Sequence, residues 1–484
     1  MKAFGPDLSI TLTKRIGRVA GSSARYSQSR NDIDLTQFFG DGCTLTTNKD
    51  IRQPRGAWSM VATAAADMRQ QAALDSLYGI VEPMDYIEIR MARSPEKYGG
   101  QPQNYPVVMR GFVGEVRDTE SMQGDKPARN IIITGADFGR IGNAAKIIPR
   151  LDYPVGIAYL TSGALFAETG LFGKTMLSGQ FMGNCLTLLN TWLGGLNASA
   201  SGFAAPGVPL IKSGILPITG DGLVTPTSTL QLFEGDVWSL MATWADSPWN
   251  ELFIEDRQDG PYLVYRICPF EDLTGNLLLP GAVRADTGIT LTEDDIEPLD
   301  LVRSDANAFN YYLMDAPYAS LAFQDALNFY SLTSGTALDT SDPNCDPTLY
   351  GVRALTARST QIAPDSGILT PQGDEANQQY TDSNFAWVEA RRNALRAMNR
   401  DNTVLDRGTI HVTKGNENLV GGKHVTLSRG GIKSRFYIYG VSHTFTALQS
   451  FRTSLAVERG TYFFNRIKSQ GSAYFKESAV SSYG

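Results

Sequence analysis

Two stretches far apart in this chain, residues 86–136 and 424–458, are written to one plan. In the first, Glu82-Pro83-Met84-Asp85 turns into Tyr86-Ile87-Glu88-Ile89-Arg90; in the second, Val420-Gly421-Gly422-Lys423 turns into His424-Val425-Thr426-Leu427-Ser428. Both openings alternate at period two, as strands with one buried face do. A second strand follows in each, Arg110-Gly111-Phe112-Val113-Gly114-Glu115-Val116 against Arg435-Phe436-Tyr437-Ile438-Tyr439-Gly440-Val441. A third closes each set, Asn130-Ile131-Ile132-Ile133-Thr134-Gly135 against Arg452-Thr453-Ser454-Leu455-Ala456-Val457. One chain thus encodes the same three-strand meander twice, and chance likeness between two meanders is the competing account. If each copy builds a barrel, a trimer carries six similar units, and a three-fold object can dock onto a six-fold ring.

At 484 residues the chain has room for several domains, because single cores stop growing near 250 to 300 residues. The charged fraction of 19% and the 47 glycines describe a loop-rich, β-leaning globular protein rather than a disordered one. A net charge of -7 argues against a surface built to grip phosphate backbones. Cys43, Cys185, Cys268 and Cys345 lie too far apart in sequence for a metal knuckle or redox pair and read as reduced thiols. The opening Met1-Lys2-Ala3-Phe4-Gly5-Pro6 has no apolar core of signal length, and every later apolar run is interrupted short of a membrane span. The expectation is a protein made and kept in the cytosol, with no membrane embedding.

Strands are expected through residues 7–142, with 58–62 among them and an alanine-rich, helical stretch over 63–77. Residues 140–245 carry only five acidic and five basic side chains, a face that seldom stays wet, and the spacing of Phe181, Leu186, Leu189, Trp192 and Leu193 suits a helix. Residues 246–305 hold fourteen acids against four arginines, whereas 384–466 hold thirteen bases against five acids, so the two segments are electrically complementary. Within the acidic part, 249–255 and 262–267 read as a hairpin turned by Asp259-Gly260. A strand resumes at 310–314, and 321–330 and 385–398 have helical spacing, the second preceded by the capping series Asp382-Ser383-Asn384.

Chemistry is sparse. Gly170-Leu171-Phe172-Gly173-Lys174-Thr175 resembles the end of a phosphate loop, but Glu168 stands where the first glycine is needed. His411, His424 and His443 match no local metal spacing, and no Gly-x-Ser-x-Gly elbow accompanies them. Glu293, Asp294, Asp295 and Glu297 offer calcium ligands or a glycosidase pair, with a solvated or ion-paired face as the plainer reading. Lys414, Lys423, Arg429, Lys433 and Arg435 beside Phe436, Tyr437 and Tyr439 suggest either single-strand nucleic-acid stacking or ordinary core aromatics with charges aimed at a protein partner. No catalytic, cofactor-binding or metal residue is assigned.

Several of these stretches resemble the baseplate hub proteins of contractile bacteriophage tails, the tail-tip hub family that is related to hub domains of contractile injection systems. The resemblance rests on 110–116 with 131–139, on Pro248-Trp249-Asn250-Glu251-Leu252-Phe253, on Arg303-Ser304-Asp305 leading to Asn310-Tyr311-Tyr312, and on 437–443 followed by 451–460. It implies a mainly β fold with α+β parts: two tube-like β-barrel domains joined by an α/β middle domain, with a partly helical insertion. The bounds that follow are 1–142 for the first barrel, 143–300 for the middle domain with its low-charge segment, 301–466 for the second barrel with insertion 315–400, and 467–484 for a tail. The implied role is a non-enzymatic homotrimeric hub in the virion tail baseplate, made in the bacterial host cytoplasm. It would have the tail tube protein, a trimeric spike protein, tape-measure and baseplate wedge proteins as partners, DNA as passing cargo, and no cofactor. The alternatives are a tail-associated cell-wall hydrolase using Glu293 with another acid, or a glycan-binding adhesin.

Overall fold

The computed structural model describes residues 5–16, 26–63, 75–123, 126–147, 176–197, 208–216, 222–224, 234–315, 342–361, 363, 374–429 and 432–461. The chain opens with β1 (Asp7–Ile16), β2 (Tyr26–Asp34), β3 (Thr44–Asp50), β4 (Ala57–Thr63), β5 (Tyr86–Ala92), β6 (Val107–Gln123) and β7 (Lys126–Asp137). A middle region follows, with α1 (Gly139–Ala144), the two-residue strands β8 (Lys146–Ile147) and β9 (Met176–Leu177), α2 (Ser178–Asn197), β10 (Lys212–Ile215), β11 (Leu223–Val224), β12 (Gly235–Asp236) and α3 (Val237–Trp244). It ends in the hairpin of β13 (Asn250–Arg257) and β14 (Gly260–Ile267), turned at Asp259-Gly260 as the sequence requires. Then come β15 (Asp286–Leu291), β16 (Ile296–Val302), β17 (Tyr311–Asp315), α4 (Pro347–Tyr350), β18 (Ala354–Arg358), α5 (Asp374–Asn399), β19 (Asp406–Val412), β20 (Lys423–Arg429), β21 (Ile432–Thr446) and β22 (Ser450–Thr461). The protein is mainly β with α+β parts.

Thirteen strands form one sheet, in the order β16-β19-β22-β21-β3-β4-β7-β6-β5-β1-β2, with β20 and then β15 branching from β21. Its two halves repeat each other. In chain order, the six strands β1, β3, β4, β5, β6 and β7 lie side by side as first, fourth, fifth, sixth, third, second; β15, β16, β19, β20, β21 and β22 lie in the same arrangement. The repetition extends to register: Tyr86 opposes Phe112 as His424 opposes Tyr437, and Val116 opposes Ile133 as Val441 opposes Leu455. Each central strand is also bulged at the same place, between Val113 and Glu115 in β6 and between Ile438 and Gly440 in β21. A slip by one residue would turn every side chain to the wrong face, so matched register and matched bulge exceed what alternation alone produces. One difference stands out: β1 runs antiparallel to β5, whereas β15 runs parallel to β20.

Each half encloses its own apolar core. Ile10, Leu12, Leu45, Met60, Ile87, Met109 and Ile133 meet in the first; Ile410, Val425, Phe436, Ile438, Leu455 and Val457 meet in the second. Among the described residues no ladder joins the outer strands of either half, so the barrel character rests on these enclosed cores. In the middle region, α2 buries Phe181, Leu186, Leu189 and Leu193 along one stripe against α3 and the β14 residues Leu263 and Tyr265, as the spacing predicts; the Trp192 side chain lies outside the description. The parallel pair β17·β18 and helix α5 pack Tyr312, Met314, Val388, Leu395 and Met398 onto Trp249 and Ile267.

One expectation needs correction. α5 begins at Asp374 and runs through Asp382-Ser383-Asn384 instead of being capped there. Asp382, Ser383 and Asn384 cost at most about 0.7 kcal/mol each inside a helix, so a stretch able to cap does not oblige the helix to begin there. The expected helix at 321–330, the phosphate-loop-like 170–175 and residues 64–74 of the alanine-rich stretch lie outside the described residues; Thr63 ends β4, and 75–77 are helical, in a helix that continues to residue 80.

Candidate functional site

The two halves are joined along a ladder in which β3 pairs antiparallel with the C-terminal part of β21, from Gly440↔Asp50 to Thr446↔Thr44. Phe445, Ala447 and Phe451, from the β21–β22 hairpin, fill the end of the first core. A strand as long as β21 can do this because it pairs with β20 over its first half and with β3 over its second.

The β13–β14 hairpin straddles this seam and fastens both halves by charge. Asp256 accepts from Lys49 Nζ of β3 at 2.5 Å and from the Arg110 backbone N–H of β6 at 3.0 Å, and Lys49 also lies 3.5 Å from Asp137 of β7. Arg110 donates to the Gln258 carbonyl at 2.9 Å and to Glu88 at 2.7 Å. Toward the second half, Glu255 pairs with Lys423 at 3.0 Å, and Glu251 accepts from the Tyr437 hydroxyl and from Arg266 Nε at 3.0 Å. Glu271 and Asp286 both hold Arg435 at 2.8 Å, and Asp246 pairs with Arg391 at 2.9 Å. The acidic and basic segments therefore meet as the sequence predicts, at named pairs.

Burial sets the protonation of this cluster. It pulls the Lys49 ammonium down, but the Asp256 and Asp137 carboxylates outweigh it and its pKa stands above the ordinary lysine value. Burial raises Asp137 despite Lys49, and raises Glu251 despite Arg266. Glu88 stands below the usual carboxylate range: burial opposes this, but Arg110 and Arg90 prevail. These are arrangements that fix geometry. Glu458 is likewise held, by Arg52 at 2.5 Å, with Arg52 lying 4.2 Å over the Tyr439 ring across the seam. A cavity of about 1090 Å³ between the seam, α3 and α5 is walled partly by Glu251, Glu458, Tyr437 and Tyr439.

The residues singled out for chemistry are dispersed. His424 and His443 are buried on different strands, the first donating Nδ1–H to the Ala285 carbonyl at 3.0 Å and the second bonded to Thr453 Oγ1 at 2.9 Å, while His411 is exposed on β19. Asp295 is occupied by the Thr292 backbone N–H at 3.1 Å and its hydroxyl at 2.9 Å. Glu293 and Asp294 are exposed beside it, and Glu293 lines neither the seam cavity nor the smaller one beside Lys49. Phe436 and Tyr437 are core, which removes them as a stacking platform; Lys414, Arg429 and Lys433 are exposed. The four cysteines are buried thiols. Among the described residues no cluster of His, Cys, Asp and Glu is disposed to hold a metal ion, and no helix is long and apolar enough to cross a membrane. Sequence reading missed Lys49, Arg110 and Asp256 as a set; each lies on a strand with other charged residues, Asp50 beside Lys49 and Glu255 and Arg257 beside Asp256, so no local signal singles them out.

Burial pushes both His424 and His443 down to about 4 from 6.5. Above pH 6.5 they are neutral folded or unfolded and their contribution is complete. As pH falls from 6.5 toward 4 the unfolded chain binds protons that the folded chain refuses, and stability is lost, by at most about 3 kcal/mol per histidine. Urea midpoints measured at pH 7.5 and 4.5 should therefore differ less in His443→Gln than in the parent chain; an unchanged difference would refute the assignment.

No family model matches this chain, and no curated protein does. Among solved structures it is similar to a tail protein from Neisseria meningitidis MC58, at 13% identity over 94% of this chain and 97% of that one, TM-score 0.45. It is similar also to the 43 kDa tail protein of prophage MuSo2 from Shewanella oneidensis, at 12% identity over 94% and 96%, TM-score 0.47. A third is an Escherichia coli protein described as a component of the type VI secretion system, at 6% identity over 88% and 74%, TM-score 0.35.

Proposed function

We propose that this chain is a structural baseplate hub of a contractile phage tail. Three copies close into a ring in which six related β modules face the six-fold tail tube on one side, while the three-fold assembly receives a trimeric spike on the other. Tape-measure and baseplate wedge proteins are the further partners, and the ring forms part of the conduit through which DNA passes, the chain's net negative charge disfavouring adhesion of that cargo. The role is mechanical rather than enzymatic, performed in the virion after synthesis in the host cytoplasm.

The observation that carries this reading is the second set of six strands in the same spatial order, with the same register and bulge as the first. Two like modules fastened in one chain supply six positions when three chains meet. The charged clamp fits a part whose internal geometry is held while neighbours are added.

Native mass spectrometry of the full chain, alone and mixed with its tail-tube partner, should give a three-copy species. End-on electron-microscopy averages should contain six evenly spaced densities around a pore. A chain that stays monomeric in both samples, or assembles with two-fold symmetry, overturns the proposal.

A further inference from the structure

We infer that β16 of one copy pairs antiparallel with the C-terminal half of β6 in the next copy, repeating between chains the β3·β21 ladder found within each chain. This rests on the ring reading above and specifies its contact strand by strand.

The inference follows from the equivalence of the halves. β21 pairs with β20 up to Ile438 and then, past its bulge, with β3 from Gly440 onward. β6 pairs with β5 up to Phe112, but past its own bulge, from Glu115 on, it pairs with β7 alone among the described residues. Among the described residues its outer edge has no strand partner there, where that of β21 is filled by β3. The counterpart of β3 is β16, since Leu45 opposes Met60 of β4 as Leu299 opposes Ile410 of β19; β16 likewise pairs on one side only. Each chain thus keeps one filled seam inside and carries both halves of a second seam, one on the terminal strand β16 and one on the stretch of β6 past its bulge. A heterologous contact of that kind generates a ring when its rotation closes.

The filled seam also transfers its register. Thr444 opposes Thr46; Thr444 corresponds to Thr119, four residues past Gly440 and Glu115, and Thr46 corresponds to Asp300. Thr119 should therefore lie opposite Asp300 of the neighbouring copy, flanked by Asp118 opposite Leu301, Glu120 opposite Leu299 and Arg117 opposite Val302. Pro298, which has no N–H, ends the ladder.

The two seams differ in chemistry. Where the internal one buries His443 and Phe445, β6 presents Asp118 and Glu120, bracketed by Arg129 at 2.5 and 3.5 Å. Charges and a proline on an edge suppress indiscriminate strand pairing, as suits an edge that must stay single until the correct neighbour arrives. Val302 and Met122, 49% and 69% exposed, mark the apolar surface left uncovered on the two strands.

The test is a paired-cysteine variant of the full chain, Thr119→Cys with Asp300→Cys, oxidised mildly and run on non-reducing gels. Opposed residues of an antiparallel ladder fall within disulfide reach, and the four native thiols are buried. Covalent dimer and trimer are expected, with at least about fivefold more trimer than from the off-register pair Arg117→Cys with Asp300→Cys. Thermal unfolding of the reduced variants and native mass spectrometry of the parent chain accompany it. A parent trimer whose well-folded in-register variant does not cross-link overturns the edge pairing and leaves the ring reading standing. A parent chain that remains monomeric both alone and mixed with its tail-tube partner, with neither variant cross-linking in either sample, overturns both.

Discussion

Lys49→Met should destabilise the protein by about 3–5 kcal/mol, the cost expected when one partner of a buried ion pair is removed and the other is left charged. Lys49 holds Asp256 and faces Asp137, whose side chains are 2% and 3% exposed. Without the ammonium these two carboxylates must coexist, one of them between the hairpin and β6 through the Arg110 backbone N–H. Pairing Lys49→Met with Asp256→Asn should recover part of the loss, because the amide oxygen can still accept from Arg110 while one of the two unpaired carboxylates, and its repulsion with Asp137, is gone. Urea unfolding at pH 7.5 reads both. A single replacement costing below about 1 kcal/mol, the range of an exposed pair, would show that Lys49 does not fasten the hairpin to the seam.

Gly408→Ala is the second change expected to act strongly, by about 1–3 kcal/mol from overpacking with added backbone strain. Gly408 sits in β19 at φ +155, and a Cβ there would lie 1.9 Å from the Asp300 carbonyl oxygen and 3.1 Å from the Leu301 Cα. The obstacle is the β16 backbone, so β16 must move away. Gly288→Ala separates the causes: it too has positive φ, +70, but nothing within 4 Å of its Cβ, so it should show only the cost of conformation. Faster amide exchange in residues 296–302 is expected in Gly408→Ala and not in Gly288→Ala, together with loss of the three-copy species. Equal exchange in the two variants would contradict the contact with Asp300.

The duplicated meander was legible because three kinds of local signal agreed: turn residues before each first strand, period-two alternation, and an arginine with aromatics at the start of each second strand. The aligned pairs Tyr86 with His424 and Phe112 with Tyr437 occupy matching register positions. Extension of the repeat to six strands was not legible, since β16 and β19 are separated by the insertion while β3 and β4 are nearly contiguous, and distant pairing leaves no mark on either strand. The parallel run of β15 beside β20 was hidden for the same reason. Charge complementarity could be read as a property of whole segments, but Lys423 with Glu255 and Arg435 with Glu271 required coordinates. Lys49 and Asp256 stand 207 positions apart, and Glu255 and Arg257 on either side of Asp256 are equally charged, so nothing local marks the pair.

Strand β21 gives Ile438 and Val441 to one core and Phe445 to the other. The copies are therefore not two beads on a thread: melting either would strip the shared strand from its neighbour, and partial loss of one half would carry the other with it. In the tail-hub role proposed above, such common fate would remove the half-collapsed states in which a single bead has failed and exposed its apolar lining.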